Sequence, residues 1–545
     1  MRSVMIDTRI RKALFVSAAS LWLASCAVGP NFAPPPAPDV SRYTPEPLAS
    51  PRADTDGPRV PRQQFVNGAD IPTRWWAAFR SKPLNELIRL SVEHNLSLQS
   101  AEAAIKVANF NALAQRGLFF PQVGINYTPS DQQFSNMATS NPVDSPQSRY
   151  TLHTVQLNIS FVPDIWGQNI RAVESLDAQT EQAQFQLEAA YLALTANVVT
   201  AAIQEASLRG QIAATERIVK IERDILGILK TQFDAGQAAQ VDVLTQETAL
   251  AQAEQTLPPL QKQLAVQRNL LTALAGQFSA DEVLQKFDLK HLALPANLPV
   301  SLPSTLVGQR PDVRAAEANM HSASALVGVA IAARLPNLTL TGNPGTSAFK
   351  PAQLFTQGTL FYTVAASATQ PLFDGLTLYH KQKAAEAALD QAEGLYRQAV
   401  ITAMQNVADA LRSLQADARA VQAAIKAETA AKASLDIVQK QLVLGQITQV
   451  TVLNAQQAYF NAAITRVLTE ATRLSDTAAL FMALGGSWPT ECATNDWRTC
   501  IFPGRDEAAR TARSMSSTMR AASVSEGAPV KKGLPASSAG SVEAN

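Results

Sequence analysis

The chain has 545 residues, too many for one small core and enough for about two to four ordinary domains. Its composition is that of a globular protein, 46% hydrophobic and 17% charged, with few aromatics and abundant Ala and Gln that favour long, closely packed helices. A net charge of +1, with no basic stripe in the body of the chain, leaves nucleic acid without the surface it needs as a main partner.

The first residues, "MRSVMIDTRIRKALFVSAASLWLASC", set Arg9, Arg11 and Lys12 before a short apolar run and small residues before Cys26. That order predicts a signal peptide over 1–25, since the run is too short and wrongly flanked for a spanning helix. The Leu23-Ala24-Ser25-Cys26 ending resembles a bacterial lipobox. It implies cleavage before Cys26 and acylation of its thiol; a plain signal peptide with an incidental cysteine is the alternative. By the same resemblance Ala27, in place of an Asp, favours the outer membrane. Residues 26–72 are polar and Pro-rich ("NFAPPPAPDV", "YTPEPLASPRADTDGPRVP") and read as an extended, lipid-anchored tether.

A first unit spans 73–300. It opens with a helix over about 84–117 and continues with a hairpin, 121–163. Val123, Ile125 and Tyr127 alternate with Gly124, Asn126 and Thr128, and Val155, Leu157, Ile159 and Phe161 alternate with Gln156, Asn158 and Ser160. Period-two alternation predicts a half-buried sheet. A very long helix follows over about 168–232, with Leu187, Tyr191, Leu194 and Val198 at coiled-coil spacing. Gly236 ends it as a left-handed cap, and a return helix interrupted by Pro258 and Pro259 follows.

A second unit, 301–489, repeats the first: a helix over about 303–334, a hairpin at 335–371, a long helix over about 376–441 with Tyr396, Ala403, Val407, Ala410 and Leu414 on its seam, Gly445, and a return helix. Ala101 and Glu102 lie over Ala316 and Glu317, and Pro121 over Pro336, at an offset of 215; Gly167 lies over Gly375 at 208 and Gly276 over Gly485 at 209. One hairpin loop is therefore seven residues longer. Helices of about 65 residues reach roughly 100 Å and cannot fold back into one compact core. Residues 490–545 read as a largely disordered tail, in which Cys492 and Cys500 either pair in an oxidising compartment or stay free. After the signal segment no run of about 18 apolar residues remains, so no transmembrane helix is expected.

Two hairpins supply four strands. Four strands cannot close a barrel, and open edges are intolerable in lipid. Yet one apolar and one polar face is the pattern of a membrane barrel, so the chain is expected to oligomerise. Two copies give eight strands, whose interior side chains fill; three copies give twelve and leave a lumen. A soluble sandwich is the alternative.

The segments "SCAVGPNFAPP", "RPDVRAAEA", "LPPL", the paired "GQxxQVxVL" turns and the closing "ALGG.W" resemble those of the outer membrane factor lipoproteins, the TolC-like outer membrane channels of tripartite efflux systems, in the NodT-type branch. The resemblance covers about residues 26–489. It implies a mostly α fold with a small β part: a homotrimer in which a twelve-stranded outer-membrane β-barrel continues into a long coiled-coil helical tunnel across the periplasm. Implied partners are outer-membrane lipid, a periplasmic adaptor (membrane fusion) protein and an inner-membrane transporter, usually of the resistance-nodulation-division type. The implied function is a passive exit duct for small toxic compounds or drugs.

By the same resemblance the turns at Gly236, Gln237, Gly445 and Gln446 would dock the adaptor, and residues just after them would close the tunnel mouth. The family often places carboxylate rings there. Mapped by motif, those acidic positions fall on Thr451 and Asn454, Gln457 stands where some members carry a basic residue, and Val450 stands where an apolar ring would lie. Only Asp242 keeps a carboxylate, either as part of that mouth or as a solvated acid stabilised by a helix N-terminus.

An enzyme is not expected, because no phosphate-binding, metalloprotease, nucleophile-elbow or paired-cysteine motif occurs. The five His (His94, His153, His291, His321, His380) have no ligand spacing, and no metal or cofactor is expected beyond the lipid on Cys26. Eight Met and three Cys argue against a dedicated copper or silver relay. A non-conducting, lipid-anchored periplasmic scaffold and an outlet for protein secretion are the competing readings.

Overall fold

A computed structural model describes residues 27–46, 62–133 and 149–486, except 37 and 70, together with Trp488, Trp497 and Ile501. Cys26, Cys492 and Cys500 lie outside the described residues, and with them the lipidation and disulfide expectations. The chain divides into two compact units, Met1–Ser487 and Trp488–Asn545. In the second, the rings of Trp488 and Trp497 lie 5.2 Å apart.

The first unit contains helices α1 (Lys82–His94), α2 (Leu96–Arg116), α3 (Gln168–Asp234), α4 (Gln240–Gln255), α5 (Leu257–Leu274), α6 (Pro303–Gln309), α7 (Pro311–Ala332), α8 (Thr377–Val443) and α9 (Gln449–Ala483). Its strands are β1 (Gln64–Asn67), β2 (Gln122–Gln133), β3 (Arg149–Phe161), β4 (Asn297–Val300), β5 (Asn337–Gly342), β6 (Gly345–Ala348), β7 (Leu360–Phe361) and β8 (Val364–Thr369). The long helices α3 and α8 have 67 residues each, roughly 100 Å of length. Their seam residues Leu187, Tyr191, Leu194, Val198, Tyr396, Ala403, Val407, Ala410 and Leu414 are all buried. One stretch of α3 is apolar enough to cross a membrane by composition, but 56% of it is buried inside the fold, as in the core of a bundle.

Each opening helix is broken where one was expected. Asn95 adopts extended backbone and its side-chain oxygen accepts from the amides of Ser97 (2.9 Å) and Leu98 (3.3 Å), so α2 starts afresh with its own cap. In the second repeat Pro311 forces Arg310 into extended backbone and divides α6 from α7. Arg310 then donates to the Ala483 carbonyl (2.7 Å) at the end of α9 and to Asp312, which joins the "RPDV" and "ALGG" segments.

The hairpin strands form one antiparallel sheet. β2 pairs with β3 from Gln122↔Ser160 to Gln133↔Arg149. The other edge of β3 pairs with β5 and β6, which pair in turn with β8 and β7. Both described strands of the first hairpin are unbroken, whereas both arms of the second are broken near Pro344. That residue has no amide to give the ladder, and its carbonyl accepts from the Leu157 amide (2.9 Å). The parallel pair β1–β4 was not expected; it ties the segment before α1 to residues 297–300.

The Pro-rich segment is not a free tether over its described part. Val28 donates to the Trp166 carbonyl (3.1 Å), and the Arg171 guanidinium holds the Val28 carbonyl (3.2 Å) and Asn31 Oδ1 (2.6 Å). Phe32 stacks on His321 at 4.4 Å, and Tyr43 donates to the Ser301 carbonyl (2.9 Å). The strap crosses α7 backbone against backbone: a Cβ on Gly328 would lie 2.8 Å from the Val28 carbonyl oxygen, and one on Gly29 2.4 Å from Gly328 Cα. Composition predicts extension but not what an extended chain lies against.

Candidate functional site

Sheet register decides which side chains share a face. Val123↔Ile159, Ile125↔Leu157 and Tyr127↔Val155 place six apolar side chains on one face of β2–β3. The same face continues through Phe161↔Leu340 and Ile159↔Gly342 to Leu338↔Ala368, Leu340↔Ala366 and Gly342↔Val364. Val123, Ile125 and Tyr127 are 65%, 73% and 55% exposed, so no described residue covers them. From Phe161 to His153 this face runs eight residues, about 26 Å along the strand. Tyr127 and His153 stack near its far end, with the hydroxyl 3.0 Å from Nδ1. Strands of a transmembrane barrel tilt by about 35–45°, so this run rises about 20 Å and fills most of the roughly 25 Å apolar band, and the aromatic edge matches its girdle.

The opposite face is neutral and polar. Asn126↔Gln156, Gly124↔Asn158, Gln122↔Ser160, Thr154↔Ser347 and Ser160↔Thr341 share it, and Gln156 donates to Asn158 (2.5 Å). Such a wall can pass polar solutes without selecting by charge.

Where strands enter the long helices, a carboxylate caps each helix. Asp164 Oδ2 accepts from the Ile170 amide and Asp374 Oδ2 from the Leu378 amide, both at 2.8 Å. Val28 meets Trp166 at the first junction, so the residue after the lipidation candidate Cys26 lies beside the lower edge of the apolar band.

At the other end stand the two tip turns. Gly236 (φ +72°) and Gly445 (φ +66°) occupy the left-handed region that favours glycine. Each turn closes the same way: Gln237 N donates to the Gln232 carbonyl (2.8 Å) and Gln446 N to the Gln441 carbonyl (2.9 Å). The Gln237 and Gln446 side chains are exposed, so they face outward from the turn. The core beneath joins all four tip helices: Ile225, Leu226 and Leu229 of α3, Val243 of α4, Val438 and Leu442 of α8, and Val452 of α9.

The aperture candidates Val450, Thr451, Asn454 and Gln457 lie on one exposed face of α9, opposite the buried Val452, Gln456 and Tyr459. Gln457 donates along this face to Asn461 Oδ1 (2.9 Å). Asp242, half-buried in the first turn of α4, reaches back to accept from the Ala239 amide (3.3 Å). Alanine has no side-chain acceptor to return the bond, so Asp242 alone ties that N-terminus.

The family described as outer membrane efflux protein matches residues 87–277 and 302–486. The chain belongs to the outer membrane efflux protein family. The matched segments start 215 residues apart (87 to 302) and end 209 apart (277 to 486), the offsets of the internal repeat. It is 26% identical over 423 residues to the pyoverdine export outer membrane protein OpmQ of Pseudomonas putida, covering 77% of this chain and 89% of that one. Its fold matches the CmeC outer membrane channel of Campylobacter jejuni (TM-score 0.77, 20% identity, 87% of this chain and 98% of the other). It also matches the outer-membrane channel OprN (TM-score 0.74, 24% identity, 85% and 100%). This outer membrane efflux protein therefore has the TolC-like fold and acts as the outer membrane exit duct of an efflux system, in a family of channels rather than enzymes.

Sequence reading missed one group at the tip. Glu222 Oε2 accepts from Gln246 Nε2 (2.5 Å) and Gln456 Nε2 (2.7 Å), and Gln449 Nε2 donates to Gln246 Oε1 (2.5 Å). All four side chains are buried. The available signal was an acid on the apolar stripe of α3, one turn after Ile218 and one before Ile225 and Leu226.

Proposed function

We propose that three copies of this chain close a twelve-stranded barrel in the outer membrane, continuous with a helical tunnel into the periplasm. Through this duct small toxic compounds or drugs pass passively, handed on by an inner-membrane transporter, of the resistance-nodulation-division type, and a periplasmic adaptor. The observation that carries this reading is the sheet: a continuous exposed apolar face backed by a neutral polar one, with β2 at one edge and β8–β7 at the other. In lipid each unpaired edge amide or carbonyl costs several kcal/mol, so both edges need partners, and a neighbouring copy offers the complementary edge.

The strap supports an acylated Cys26 held at the rim of the barrel, because residues 28–32 are fixed to the barrel–helix junction. The tips support docking of the adaptor at Gly236, Gln237, Gly445 and Gln446, which are exposed, pseudo-equivalent and set on a shared core. Val450, Thr451, Asn454 and Gln457 would then line the tunnel mouth with neutral groups, and Asp242 would lend each chain one carboxylate nearby.

Electrophoresis of unheated and heated protein tests the assembly. A heat-modifiable trimer, and restored drug resistance in a strain lacking its own outer-membrane duct when the cognate pump and adaptor are co-expressed, is the expected outcome. A stable monomer in the membrane fraction would leave only a lipid-anchored scaffold.

A further inference from the structure

The buried carboxylate at the tip has no counterpart in the second repeat. At the repeat's offset of 209, Ala431 and Ala455 stand where Glu222 and Gln246 stand, while Gln240 and Glu247 stand for Gln449 and Gln456. Ala431 and Ala455 pack in apolar clusters. One contact between α9 and the α3–α4 pair is thus polar and single in an otherwise duplicated tip. It grips α9 at Gln449 and Gln456, and the exposed face carrying Val450, Asn454 and Gln457 lies between and beside those grips.

We propose that Glu222 is a proton-sensitive positioning residue for the tunnel mouth: protonated, it holds the first turns of α9 against α3 and α4, and ionised, it loosens them. This rests on the reading that residues 450–457 line the mouth. Two features of the node favour the neutral carboxyl. Burial pushes the Glu222 carboxyl above its ordinary value, against the opposing pull of its two amide hydrogen bonds. The buried side-chain carbonyls of Gln449 and Gln456 accept no hydrogen bond among the described residues, so the node has acceptors to spare and lacks a donor, which a protonated Glu222 supplies.

No charge faces Glu222 among the described residues of the helices around it. On α3, Arg223 turns outward to Glu254 of α4 (2.8 Å), and Lys220 and Asp224 are exposed. On α4, Glu247 pairs with Lys230 (2.8 Å) and Asp242 caps Ala239. On α8, Asp436 and Lys440 are exposed. On α9 no charged residue occurs between Gln449 and Arg466, and its Tyr459 is buried among Ala214, Ile218 and Leu435.

The sign follows from linkage. Solvated in a loosened mouth, Glu222 returns toward its ordinary value; packed, it is raised. The packed state therefore binds more protons, and acid favours the narrow mouth while rising pH favours the wide one.

The test is the conductance of full-length trimers in planar bilayers from pH 5 to 8. Wild type is expected to step up with pH. Glu222→Gln, which mimics the neutral carboxyl and supplies the missing donor, should stay at the low level throughout. Gln456→Met removes one of the two grips on α9 and so weakens the narrow state, which should then give way at a pH about one unit lower; this variant decides the matter if Glu222→Gln fails to assemble. A flat wild type, an unchanged step in Glu222→Gln, or an unmoved or raised step in Gln456→Met overturns the proposal. Asn454→Asp, measured in parallel, separates this failure from that of the underlying reading. A gain in cation selectivity places residue 454 at the mouth whatever Glu222 does, and no change removes the mouth assignment itself.

Discussion

Gln240 and Gln449 hold the same place in the two "GQxxQV" turns, yet Gln240 is exposed and Gln449 is buried with its Nε2 2.5 Å from Gln246 Oε1. Identical letters therefore have unequal consequences. Gln240→Ala should change trimer stability by no more than about 0.5 kcal/mol, whereas Gln449→Ala should cost about 1–3 kcal/mol by leaving Gln246 without its donor. Chemical denaturation of the two variants side by side checks this, and equal effects would dissolve the asymmetry.

Adjacent residues on β3 should respond oppositely to the same charge. Leu157 sits mid-band on the apolar face and Asn158 on the polar one. Leu157→Arg should cost about 2–4 kcal/mol and reduce folded trimer in the membrane, while Asn158→Arg should assemble normally. Equal losses would mean that the facing is reversed or absent.

The tip glycines should separate assembly from export. A Cβ at Gly236 or Gly445 would meet no neighbour within 4 Å, but the residue must adopt a positive φ, at about 1–2 kcal/mol. The Gly236→Trp, Gly445→Trp double variant should still form trimers, because the barrel and seam are untouched, and should lose drug export. Resistance assays with intact pump and adaptor measure it; normal export would remove the tips from the docking surface.

The strap should be held by Arg171 more than by its prolines. Arg171 is 5% exposed and bonds to Val28, Asn31 and Glu174. Arg171→Ala should free the N-terminal segment and make it a site of limited proteolysis, without dissolving the trimer. Cys26→Ala behind a conventional signal peptide should likewise trimerise, since the barrel holds most of the membrane-facing surface; complete loss from the outer membrane would make the lipid the sole anchor.

Burial, then the neighbouring Asp476, push the Asp417 carboxyl up to about 7, with Arg473 opposing. Its ordinary value is 3.8, so the folded state holds the proton more tightly. The ionisation penalty is absent below about pH 4, accrues between 4 and 7, and is complete above 7. Asp417→Asn should therefore raise the melting temperature more at pH 8 than at pH 5. Thermal melts at both values decide it, and an equal or reversed gain would refute the assignment.

What could be read from the letters was whatever repeats. The strand faces at Val155–Phe161, the seams of α3 and α8 and the caps at Gly236 and Gly445 follow from period, spacing and backbone freedom, which are local properties. Three features were not legible because they depend on distant partners. Asn95 breaks a helix by capping the next one. Residues 28–46 look like a free linker until Arg171, His321 and Ser301 are brought beneath them. Glu222 stands out in sequence only as an acid on an apolar stripe; that Gln246 and Gln456 enclose it is set by the fold. The neutral character of Thr451 and Asn454 was plain in sequence; their exposure on one face of α9 needed the burial of Val452 and Gln456 to define the other.

The most direct measurement is single-channel current from purified protein in planar bilayers, taken on wild type and on a Val450→Ala, Gln457→Ala variant. An exit duct should give discrete steps from one conducting unit per three chains, small in wild type and enlarged when side chains at the mouth are shaved. Trimers that insert yet pass no current in either form would show that the polar face of the sheet encloses no pore.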